Sequence, residues 1–257
     1  LSIRFFIAGI IGVCIARFLG QTYYLTRGQW KATIIFGIFQ NALYLGLNFL
    51  GMQTVEASLA SIIASSMPLM VAFTGWVIFR ERLSLLASVG LCLGFLGVAM
   101  IMRLRITDGA DSYGIVLCVI GAVALTVATL AVRGASEGGN VMMVVGLQMI
   151  IGAVFLAIAG ALTESIYVTW SWPFILAFLY TTLIPGLAAT FIWFMLVNRI
   201  GTVKAATFHF LNPFFGVVIA SFVLGEAMSV VDFVGVIVIT IGILAVQMSR
   251  KSNLGGV

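Results

Sequence analysis

Nine apolar stretches, each long enough to cross a bilayer as a helix, constrain this chain more than any other feature. They run over residues 1–19, 30–50, 57–79, 85–102, 113–133, 140–162, 173–197, 203–224 and 230–248, and what charge they hold lies within four residues of an end. A hydrocarbon core of about 30 Å needs about 20 helical residues at 1.5 Å rise each. Apolar residues within the stretches are continuous rather than alternating, which excludes the strands of an outer-membrane barrel. The chain is 62% hydrophobic and 8% charged. A soluble domain carries about 25% charged residues. A chain this apolar cannot cover itself with polar surface, so its solvent is lipid, and the expected fold class is all-α integral membrane.

The connections are short and hold no inserted soluble domain; residues 249–257 form a polar tail. Thirteen Lys and Arg against eight Asp and Glu give a net charge of +5. These cations make no groove-sized patch for nucleic acid; they flank apolar runs and read as topology signals. One set of alternating connections holds Arg17, Arg27, Lys31, Arg80, Arg82, Arg133, Arg199, Lys204, Arg250 and Lys251. The opposite set holds Arg103 and Arg105, with Arg4 near that side. The positive-inside rule places the first set and the C-terminus in the cytoplasm, in a multi-pass inner-membrane protein. Cys14, Cys92 and Cys118 fall inside apolar runs without metal-ligand spacing, so neither a metal nor a disulfide framework is expected. A secretory signal peptide is not expected.

An internal repeat organises the runs. Pro68, Glu81, Ser84, Gly90 and Gly97 recur as Pro213, Glu226, Ser229, Gly235 and Gly242, every pair 145 residues apart. Runs three and four therefore pair with runs eight and nine, and runs one and two with six and seven. Run five has no visible partner, which leads to the expectation of a tenth helix before Leu1. Five helices per repeat is odd, so the second repeat enters the membrane from the opposite side: an inverted-topology 5+5 pair, the build of many secondary transporters. The expected organisation is a first repeat over 1–102, a second over 113–248 and a cytoplasmic tail over 249–257.

Phe79-Arg80-Glu81-Arg82-Leu83-Ser84 after Pro68, with its second copy from Leu211-Asn212-Pro213 through Leu224-Gly225-Glu226, resembles the EamA-type repeat of the drug/metabolite transporter superfamily. The overall look is most similar to the YddG-type aromatic amino acid exporters. The resemblance implies ten helices, both termini cytoplasmic, a central cavity and alternating access.

The residues themselves point the same way. Pro68 and Pro213 fall midway along runs 57–79 and 203–224. A mid-helix proline removes a backbone hydrogen bond, and in lipid such breaks occur where protein or cavity water satisfies the freed carbonyl. Matched breaks in two halves are the sign of hinges, although a static kink is the simpler alternative. Gln40, Asn41, Tyr44, Ser65, Ser66, Thr182, His209 and Asn212 share that depth, as do Tyr180 and Trp193, and are the candidate cavity or substrate-binding residues. Interhelical hydrogen bonding is the competing role for the hydroxyls and for His209, and lipid contact or core packing for Tyr180 and Trp193. Glu81 and Glu226, with Ser84 and Ser229 as N-caps, are expected to close turns rather than to catalyse.

The expected activity is export of small metabolites by alternating access, with aromatic or apolar amino acids first. Amides, hydroxyls, one His and aromatics with little fixed charge suit a net-neutral amphipathic solute. A multidrug or other metabolite exporter of the same superfamily is the alternative. An integral-membrane enzyme is remote, because lipid chemistry needs clustered acids, paired His or metal ligands. The expected partners are a small-molecule substrate and the lipid bilayer, with no nucleic acid, no cofactor, no catalytic residue, and a monomer or weak oligomer.

Overall fold

The computed structural model describes residues 1–77, 84–107, 109, 111–135, 139–163, 168–200, 205, 211–225 and 229–254. Among these residues there are helices and no strand. In chain order the helices are α1 (Ser2–Phe18), α2 (Arg27–Gly51), α3 (Ala57–Ala64), α4 (Met67–Val77), α5 (Leu85–Thr107), α6 (Ser112–Ala135) and α7 (Val141–Thr163). After them come α8, running from Trp172 to Ile200, α9 (Leu211–Leu224) and α10 (Val230–Leu254). Among the described residues, five stretches are long and apolar enough to cross a membrane: Arg27–Gly51, Ala57–Thr74, Ser112–Val132, Val141–Thr163 and Trp172–Arg199. The protein is an all-α membrane protein.

The sequence marks the helix ends by familiar chemistry. The α1 helix stops at Gly20, whose φ of +73° is open to glycine and costly for other residues. There Gln21 N donates to Ala16 O and Gly20 N to Arg17 O, the paired bonds that satisfy a helix's last carbonyls. Thr26 and Gln29 cap each other's backbone N–H groups at the start of α2. Ser84 accepts from Ala87 N at 3.2 Å to open α5, and Ser229 accepts from Asp232 N at 3.2 Å to open α10. Asp232 returns the bond through Oδ2 to Ser229 N at 2.9 Å. The sequence alone leaves Asp232 in a connection; in the structure its side chain is buried in the first turn of α10.

The helices gather into two compact units. One holds Leu1–Gly46 and Val127–Ala205, the other Leu47–Thr126 and Ala206–Val257. Each unit therefore draws helices from both sequence repeats. In the first unit α1 lies antiparallel on α7. A Cβ added to Gly146 would lie 2.7 Å from Val13 N, and one added to Gly12 would lie 3.0 Å from Gly146 Cα. At the other end of the crossing Ser2 Oγ donates to Ala153 O at 2.8 Å. Phe36 and Phe194 meet edge to face at 5.0 Å in the core of this unit, with Phe5, Met143 and Met149 around them.

In the second unit α5 lies antiparallel on α10, with Gly90 against Gly242 and Gly97 against Gly235. Adding 145 to 90 gives 235, and subtracting 145 from 242 gives 97. The two contacts are therefore exchanged when the repeats are exchanged, which is the property of a pseudo-two-fold pairing. The same shift carries α1 into α7. In each unit, then, one helix packs on its own repeat-counterpart, and small residues permit the close approach that lipid alone would not drive. Leu59, Ile62, Ile63, Leu69, Ile101, Ile239 and Ile243 fill the core of this unit.

The regular helices are broken at matched places. α2 adopts π geometry over Gly37–Tyr44 and α8 over Thr182–Ala188; 37 plus 145 is 182. The run expected as one helix over 57–79 is interrupted at Ser65–Ser66, between α3 and α4. Pro68 is thus the second residue of α4, and Pro213 is the third residue of α9. The break is present in the first repeat, but its proline does not interrupt a continuous helix. It opens the second half-helix, in the first turn, where a missing N–H has no intrahelical acceptor to lose.

Candidate functional site

Gln40, Asn41 and Tyr44 all lie on the π segment of α2. The i, i+4 face expected of an α-helix therefore falls on a stretch bonded i to i+5. This segment packs on α7 with almost no space between backbones. A Cβ on Gly37 would lie 2.5 Å from Gln148 O, and one on Gly152 would lie 2.8 Å from Gly37 O. Into that approach Asn41, only 3% exposed, inserts its carboxamide. Its Nδ2 donates to Gln148 O at 3.3 Å and to Gln148 Oε1. Gln148 is fully buried, and its Nε2 has no hydrogen-bond partner among the described residues. A buried donor without an acceptor is costly, and π segments in helices recur at functional sites. Gln40 and Tyr44 are half-buried beside this pair.

The second π segment repeats the arrangement with different chemistry. Its Leu187 fills the space over Gly12 of α1, and Gly186 is buried. Thr182 begins the segment, buried, with Oγ1 donating to Phe178 O at 2.6 Å. That bond stays within its own helix. Tyr180 is 62% exposed, and Trp193 packs half-buried on the core of the first unit.

Ser65 and Ser66 belong to the second unit. Both are buried, and their hydroxyls donate to Ser61 O and Ile63 O, each at 2.7 Å. Both carbonyls also accept a backbone N–H, from Ser65 and Ser66 respectively, so the hydroxyls add a second bond to each, as back-bonding hydroxyls do at bent helices. Pro68 is buried beside them. His209, Glu81 and Glu226 lie outside the described residues, as do the side chains of Asn212 and Pro213. Among the described residues no group of three His, Cys, Asp or Glu is arranged to hold a metal ion.

The structure thus joins Asn41 to a residue that sequence reasoning passed over. Gln148 had a signal: it is the one amide in the otherwise apolar span Val141–Thr163. Outside the spans, Asp111 caps α6. The Thr54 hydroxyl first, and then the N–H groups of Tyr113 and Gly114, hold its carboxylate below the ordinary range.

The matched breaks, the repeat-counterpart pairing and the buried amides on a helical scaffold are the build of a membrane transporter. Residues 1–103 and 112–248 match the EamA-like transporter family, and the chain belongs to it. Among curated relatives, the chain is 27% identical over 254 residues to the uncharacterized transporter YvbV of Bacillus subtilis, covering 98% of this chain and 83% of that one. It is 24% identical over 262 residues to the chloroplastic WAT1-related protein At3g02690 of Arabidopsis thaliana, covering 98% of this chain and 63% of that protein. A solved crystal structure superposes with a TM-score of 0.71 at 18% identity, over 97% of this chain and 87% of the other, a likeness of fold.

Proposed function

We propose that the protein exports small, net-neutral amphipathic metabolites by alternating access, with aromatic and apolar amino acids as the first class. The observation that carries this reading is the buried Asn41–Gln148 carboxamide pair at the π break of α2. It offers uncharged hydrogen-bonding groups at the middle of a span. Such groups bind a zwitterion without a fixed counter-charge, whereas sugar phosphates call for Arg or Lys and lipophilic dications for an intramembrane acid. The repeat-matched breaks supply elements able to move between two states. Membership of a transporter family supports the general activity; the solute class and the direction of transport are our reading.

The transport is facilitated rather than proton-driven. His209 is the single histidine of the chain, and one His is a thin proton relay. The test is flux in proteoliposomes, with amino acids set against drug cations and with or without an imposed pH gradient. The expected result is amino-acid equilibration that a pH gradient does not turn into accumulation. Drug-cation flux without amino-acid flux would overturn the solute class. Concentrative uptake that survives His209→Gln would overturn the facilitator.

A further inference from the structure

We propose that the side-chain amide of Gln148 is the donor that holds the carboxylate of the transported solute within the first unit, an inference that rests on the amino-acid reading above. Gln148 offers two features that together define a subsite. Its Oε1 and its main-chain oxygen are both taken by Asn41 Nδ2. That fixes the plane of the amide and turns Nε2 away from Asn41. Nε2 is then left fully enclosed, with no acceptor among the described residues. A carboxamide nitrogen is donor only, so its complement is an oxygen. A carboxylate is the strongest such acceptor, because the bond is then charge-assisted.

The location fits delivery of a solute. Asn41 rides on the π segment Gly37–Tyr44, which lies on α7 through Gly37 and Gly152. One π turn relaxing to α geometry carries Asn41 about 100° around the axis of α2. That motion releases Gln148 Oε1 and opens the enclosed amide together. In the closed arrangement Asn41 orients the donor, and in the open one the donor is free to receive the carboxylate.

The experiment is exchange of labelled phenylalanine in proteoliposomes, inhibited by unlabelled phenylalanine or by phenylalaninamide, which lacks the carboxylate. The variant is Gln148→Met, close in volume and without a donor; Asn41 Nδ2 keeps the main-chain oxygen of residue 148 at 3.3 Å. The expected result is that phenylalanine inhibits about tenfold more weakly in the variant, the size of one hydrogen bond to a charged group, while phenylalaninamide is nearly unaffected. Gln148→Leu serves if the methionine variant folds poorly. It too removes the donor and leaves Asn41 Nδ2 the main-chain oxygen of residue 148, and the same selective loss is expected. An equal loss of both inhibitors in either variant, the result of a purely structural amide or of one satisfied by water, would overturn the subsite while leaving the amino-acid reading intact. A wild-type protein that exchanges no amino acid overturns that reading and the subsite with it.

Discussion

Replacing Gly242 by Ala tests the repeat-counterpart pairing at its tightest point. The new Cβ would lie 2.6 Å from Gly90 O, 2.6 Å from Gly94 N and 2.8 Å from Gly94 Cα. All three are main-chain atoms of α5, which cannot rotate out of the way. Ordinary contact begins at 3.4 Å, so 3.4 − 2.6 = 0.8 Å of separation must come from α10 withdrawing. A gap of that size forfeits about a quarter to a half of each contact of about 0.1–0.2 kcal/mol; over about 40 atom pairs the loss is about 1–4 kcal/mol. Alanine in a helix interior regains about 0.5–1 kcal/mol. The net loss is therefore about 0–3.5 kcal/mol, a range that spans the usual cost of about 1–3 kcal/mol for overpacking. Gly235→Ala is the internal control. Its Cβ would lie 2.4 Å from Cγ1 and Cδ1 of the buried Ile101, a side-chain clash, while the nearest main-chain atom, Gly97 O, is at an ordinary 3.5 Å. Ile101 can change rotamer without α10 withdrawing, so that variant should lose less stability than Gly242→Ala. Thermal unfolding of purified protein in detergent reads the difference, at about 2–4 °C per kcal/mol. Equal melting temperatures for the two variants would refute the claim that backbone contact sets the α5–α10 spacing.

Three further outcomes are expected. Pro68→Ala supplies an N–H that can bond back to Ala64 O and carry α3 into α4, so it should slow transport more than it lowers folded yield; a normal rate would remove the break from the mechanism. In a background without native cysteines, Thr22→Cys should be labelled only from the cytoplasm and Ser112→Cys only from outside, and the reverse pattern would invert the orientation read from the basic residues. The depressed pKa of Asp111 means its cap contributes stability that is complete above the unfolded value of about 3.9 and is lost as pH falls through the lower folded value. Asp111→Asn should therefore lower the melting temperature at pH 6 and approach wild type near pH 3, and a pH-independent difference would contradict the assignment.

Much of this fold could be read from the chain because lipid simplifies the code. Continuous apolar runs specify helices, and the shared offset of Pro68, Glu81, Ser84, Gly90 and Gly97 specifies a second copy. What the offset does not convey is that Gly90 meets Gly242 rather than a residue of its own repeat. Linear adjacency suggests repeats as bodies, whereas antiparallel pairing of counterparts builds units from both. The π segments were equally hidden. Their bonding pattern follows from packing on α7 and α1, and no local residue preference distinguishes Gly37–Tyr44 from an ordinary helix. Ser65 and Ser66 show the limit at the site. Sequence gives a hydroxyl its depth, but the choice between a cavity and the carbonyl one turn back is a matter of rotamer. Gln148 gives a fainter signal in the sequence than a cluster of polar residues does, because it stands alone in its span.

The interleaving of the repeats also bears on how the protein is made. α1 begins at Ser2 and its partner α7 at Val141, and α5 begins at Leu85 and its partner α10 at Val230. At about 5–20 residues per second, a ribosome needs about 7–30 s to deliver each partner. Through that interval the glycine faces of α1 and α5 wait in the bilayer or against the insertion machinery, each without its counterpart. The first unit closes only after α7 and α8 have emerged, and the second only with α10. A premature stop anywhere before Val230 therefore leaves the nascent protein without the counterpart of α5, and the glycine face of α5 with nothing to close on.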